Sequence, residues 1–144
     1  MTKQLKALLY GSLFVAFMTT AMAVSAYADT LVLASSPEIP AAEGRVRTRV
    51  TQNGNTEINL RVKHLAPPDR ITPGTAVFVV WVRGLAQGSL AQNLGGLRVN
   101  KNLTGKLRGA TSLKAFDLFL TCEALQSVTA PTGRELLPVH YAGE

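Results

Sequence analysis

From residue 30 onward the chain breaks into short runs of alternating apolar and polar residues, each bounded by Gly, Pro or Asn. That period belongs to strands whose two faces meet different surroundings. It predicts strands over 30–34, 45–52, 56–65, 75–83, 97–100, 105–109, 116–123 and 135–141. The run 75–83 is nearly all apolar, as a central strand covered on both faces would be. No helical periodicity competes with this pattern. About seven or eight strands in a span of this size predict an all-β, antiparallel β-sandwich, with a small barrel as the alternative.

The residues before this region read differently. Lys3 and Lys6 open the chain, no charge occurs from Ala7 to Ala28, and Leu8-Leu9, Leu13-Phe14-Val15 and Phe17-Met18 form an apolar centre. Ala26-Tyr27-Ala28 places small residues at −3 and −1 before Asp29. This three-part order predicts a secretory signal peptide over 1–28, helical in its apolar centre and cleaved between Ala28 and Asp29. Ala21-Met22-Ala23 is a second, weaker cleavage site. The alternative is a retained membrane helix, since about 20 apolar residues span a bilayer. Thr19, Thr20 and Ser25 dilute that span and no basic stop-transfer cluster follows. With no Cys at the cleavage point, a lipid anchor is not expected.

Cleavage leaves a single domain, 29–144, in a periplasmic or secreted location. Of the 15 Lys and Arg, Lys3 and Lys6 go with the leader, so 13 basic residues face 9 acidic ones, a balance of +4. That value is ordinary for solubility. Cys122 is the single cysteine, so no disulfide framework holds the domain. Its period-2 neighbours Phe116, Leu118 and Leu120 put the thiol on an apolar face, where it acts as a small hydrophobe. Trp81, alternating with Val77 and Val79, is expected to anchor the core.

The turn at Asn53-Gly54-Asn55 permits a register argument. A two-residue loop would set Val50 opposite Glu57 and mix core with solvent. A three-residue loop sets Val50 against Ile58, Thr48 against Leu60 and Val46 against Val62. The other face then carries Arg45 opposite Lys63, Arg47 opposite Arg61, and Arg49 opposite Asn59. Arg45, Arg47, Arg49, Arg61 and Lys63 thus form a basic ribbon. It reads either as an anion-binding face for an envelope protein or anionic envelope polymer, or as a soluble edge that resists aggregation. Nucleic acid is not expected as a partner, since no aromatics interleave with these charges.

Residues that carry catalysis are sparse. His64 and His140 lack the neighbouring ligands a zinc site draws on, and no Gly-x-Ser-x-Gly or phosphate-loop ending is present. No metal, cofactor or enzymatic activity is expected. The Gly-rich stretch 84–96 is read as a long loop and a second candidate contact surface. The stretch 67–74, with three prolines, is read as a stiff crossover without helix.

Several runs taken in order, Phe78-Val79-Val80-Trp81-Val82, Gly95-Gly96-Leu97-Arg98-Val99, Phe116-Asp117-Leu118-Phe119-Leu120-Thr121-Cys122-Glu123 and Pro131-Thr132-Gly133, resemble the extracytoplasmic domain of RskA-type anti-sigma-K factors. The resemblance covers roughly residues 40–140. The stretch from Pro40-Ala41-Ala42-Glu43-Gly44 through Asn53-Gly54-Asn55-Thr56 and His64-Leu65-Ala66-Pro67-Pro68 also resembles small exported bacterial proteins that carry this domain alone. It implies an immunoglobulin-like sandwich outside the cytoplasm and supplies no catalytic residue. The sigma-binding helical part and its His-x-x-x-Cys-x-x-Cys motif have no counterpart ahead of the apolar run. The expected function is therefore binding or structural association in the envelope, with a membrane-tethered sensor as the alternative.

Overall fold

The computed structural model describes residues 28–143. Nine strands and one helical turn follow in the order β1 (Asp29–Val32), β2 (Glu43–Val50), β3 (Thr56–Lys63), α1 (Pro68–Ile71), β4 (Val77–Gly84), β5 (Ala91–Gly96), β6 (Arg98–Val99), β7 (Gly105–Thr111), β8 (Phe116–Glu123) and β9 (Leu136–Tyr141). They build a five-stranded sheet, β1-β2-β3-β7-β6, and a four-stranded sheet, β5-β4-β8-β9. Every pairing is antiparallel. Residues 1–27 of the expected leader, Ala26 among them, lie outside the described residues. Ala28 is exposed, and Asp29 is the first residue of β1, opposite Thr48.

Alternation explains the sheets directly. Val46, Ile58, Leu60 and Val62 turn one way from the first sheet, and Phe78, Val80, Val82, Leu118, Leu120 and Cys122 turn towards them from the second. These residues form one buried cluster. Each fully buried side chain of this size contributes roughly 1.5–3 kcal/mol. Cys122, at 3% exposure, is the small core hydrophobe the sequence predicts. Burial pushes its thiol pKa up, against hydrogen bonds from Thr72 and Thr75 that lower it.

The remaining faces of β4 and β8 carry a second buried cluster, Val79, Trp81 and Phe119, with Val128 packed on it from the segment after β8. The apolar run of β4 is thus covered on both sides, by a sheet on one and a connecting segment on the other. Trp81 anchors this second cluster rather than the one between the sheets.

Four expectations are corrected. The β2–β3 register is shifted by two residues from the predicted one: Val46 opposes Leu60, Thr48 opposes Ile58, and Val50 opposes Thr56. The loop is then 51–55, closed by Thr51 N–H to Asn55 O (2.8 Å) and Gly54 N–H to Thr51 O (2.8 Å), with Gly54 at φ 76°. Both registers keep the apolar face intact, so the alternation cannot choose between them. The observed one places Arg49 opposite Glu57 and Lys63 opposite Glu43, where opposite charges attract.

The stretch 84–96 is not one long loop. Ala91–Gly96 pairs with β4 as an edge strand, with a bulge at Val80/Trp81. Its residues have weak strand preference, and side-chain bonds hold it. Asn93 Nδ2 donates to the carbonyls of Gln126 (2.9 Å) and Val128 (2.8 Å), while its Oδ1 accepts from Gly95 N–H (2.7 Å).

The proline-rich crossover contains the helical turn α1, with Pro68 at its start. A first-turn proline loses no hydrogen bond that the helix would have made. The strand expected over 97–100 is also shorter, reduced to Arg98–Val99.

Candidate functional site

Residues directly opposite one another share a face of a sheet. On the outer face of the first sheet, Arg45 opposes Arg61, Arg61 opposes Lys106, and Lys106 opposes Arg98. Four cations from four strands therefore stand in one line across the sheet. All four are exposed, and none has an acidic partner within ion-pair distance among the described residues. Like charges so placed destabilise by a few tenths of a kcal/mol per pair, about 1 kcal/mol at most.

The next line is Arg47–Asn59–Arg108, in which Arg108 Nε donates to Asn59 Oδ1 at 2.8 Å. Beyond these two lines each cation stands opposite a carboxylate. Arg49 Nη2 pairs with Glu57 Oε2 at 2.8 Å on one side, and Lys63 faces Glu43 on the other. All five basic residues singled out by the sequence thus lie on one face, but only Arg45, Arg47 and Arg61 belong to its unmatched band. Arg98, Lys106 and Arg108 complete it. The alternation Lys106-Leu107-Arg108 was the sequence signal for the last two, yet the pairing of β7 with β3 spans too much chain to be read locally.

The outer face of the second sheet holds a different arrangement. Glu123 is 1% exposed. Its Oε1 accepts from Thr121 Oγ1 (2.6 Å) and Thr132 N–H (2.9 Å), more weakly from Gly133 N–H (3.4 Å), and its Oε2 accepts from Thr132 Oγ1. Thr121 Oγ1 in turn accepts from Trp81 Nε1 at 2.9 Å. Burial pushes the Glu123 pKa up, but the bonds from Thr121, Thr132 and Gly133 outweigh it and hold the carboxyl below its ordinary value. The carboxylate is a clasp that ties the segment 124–135 over Trp81.

Beside it lies a shallow cleft of about 310 Å³ floored by Phe119. Arg83 sits 4.9 Å over the Phe119 ring and forks onto Glu135 at 2.6 and 3.4 Å. The bond to Glu135 is also the main reason its guanidinium pKa is raised. His140 Nδ1 lies 2.8 Å from Asp117 Oδ1. The lining contains no Ser, Thr or Cys. The sequence residues considered for chemistry are not brought into this cleft together: His140 lines it, His64 is exposed after β3 at φ 55°, and Cys122 is buried. Among the described residues no group of three or more His, Cys, Asp or Glu is placed to hold a metal.

Set against known proteins, the chain matches no protein-family model and no curated sequence.

Proposed function

We propose that residues 29–144 form an exported, non-enzymatic binding domain of the bacterial envelope. The domain meets an acidic partner through the outer face of its first sheet. The observation that carries this reading is the charge balance of that face. Arg45, Arg47, Arg49, Arg61, Lys63, Arg98, Lys106 and Arg108 stand against Glu43 and Glu57 alone at the outward positions of β2, β3, β7 and β6. A merely soluble edge would not need unmatched cations in the middle of a sheet, where they repel one another.

The immunoglobulin-like form of the proposal is supported by the strand orders. Central pairs β3-β7 and β4-β8 flanked as observed correspond to the two sheets of that sandwich. The likeness to the outer domain of anti-sigma-K factors rests on the motifs quoted above. Export rests on the leader sequence.

The test is recovery of the protein from native cells, with its N-terminal residue and its retention on an anionic matrix measured. Envelope material beginning at Asp29, eluted by moderate salt, is the expected result. Cytosolic protein still carrying Met1, or passage through the matrix without retention, overturns the reading.

A further inference from the structure

The unmatched band on the first sheet has a direction, and direction restricts what can lie on it. Neighbouring strands are about 4.8 Å apart, so the line Arg45–Arg61–Lys106–Arg98 runs about 15 Å across them. One phosphate or carboxylate cannot meet four cations over that length. The matching ligand is an extended chain with an anionic group on every short repeat.

The edges of the band are equally defined. On one side the line of Arg49 is neutralised by Glu57, and on the other Lys63 faces Glu43. Between these limits lie the four-cation line and, beside it, Arg47 and Arg108, the latter oriented by Asn59. Five of these six cations are arginine, whose planar fork takes two oxygens of a phosphate at once. The outward positions on these strands contain no aromatic residue on which a base could stack.

From this placement we infer that the band binds a linear, base-free phosphate polymer that runs across the strands, from Arg45 to Arg98. The inference rests on the acidic-partner reading above and names the chemistry of that partner.

Inorganic polyphosphate is the probe, titrated against the folded domain over a range of salt. With four to six contacts, the slope of log affinity against log salt is expected to be about −3 to −4. The double variant R61Q/K106Q should flatten that slope by about 1.4 and weaken binding by about tenfold or more. It should also melt no lower than the wild type, because it relieves repulsion. R70Q/K114Q removes the same charge elsewhere and should leave binding within about twofold.

Equal weakening by both variants would mean net charge alone attracts the polymer, and overturns the inference. So does equally tight binding of a thymidine oligonucleotide. A sulfated polysaccharide retained through Arg61 and Lys106, with polyphosphate unbound, overturns the phosphate assignment but leaves the acidic-partner reading standing. Retention of neither polymer overturns both.

Discussion

A carboxylate at 1% exposure with no cationic partner among the described residues is an expensive residue to keep, and hydrogen-bond donors hold Glu123 in its charged form. Its bonds from Thr121, Thr132 and Gly133 tie the run Thr121-Cys122-Glu123 to the run Pro131-Thr132-Gly133. Glu123→Gln retains the shape but swaps one acceptor oxygen for a donor. The expected loss is about 2 kcal/mol at neutral pH, measured by urea unfolding. The pH dependence follows from the depressed native pKa. Its contribution is complete above the unfolded-state value of about 4.3 and is lost as pH falls through the lower native value. The stability gap between wild type and variant should therefore be constant near neutrality and narrow below about pH 4.3. A gap unchanged in acid would remove Glu123 from its role as a charged clasp.

At the level of elements, the segment 124–135 is the piece least expected from composition. It has no strand or helix pattern, yet it covers Val79, Trp81 and Phe119. Gly133 lets it approach the sheet. A Cβ there would lie 2.8 Å from the carbonyl oxygen of Cys122 and 3.4 Å from its nitrogen, backbone atoms of β8 that cannot yield. Gly133→Ala should lift the segment, with a loss of about 1–3 kcal/mol and red-shifted tryptophan emission as water reaches Trp81. Unshifted emission would mean that the segment is not the cover of that indole. The hairpin at 51–55 makes the complementary point. Its existence was readable from Asn53-Gly54, but its register was not, because a two-residue slip returns every side chain to the same face.

Over the whole molecule, charge and stability pull against each other on the first sheet. Screening reaches across about 10 Å at 0.1 M salt, enough to weaken repulsion along the cationic line. Adding sodium chloride from low ionic strength should raise the melting temperature of the wild type and have a smaller effect on R61Q/K106Q. A melting temperature that falls with salt would show that ion pairs, not repulsion, dominate the surface.

Local pattern determined much of this protein. Period-2 alternation identified the strands other than Ala91–Gly96, the buried side of Cys122 and the shared face of Arg45, Arg47, Arg49, Arg61 and Lys63, because each depends only on which way successive residues point. Tertiary structure decided the rest: which strands are neighbours, that Arg98, Lys106 and Arg108 extend the basic face, and that Thr132 and Gly133 close on Glu123. These depend on contacts between residues far apart in the chain. Alternation repeats identically at every shift of two, so it carries no information about which distant partner a residue meets.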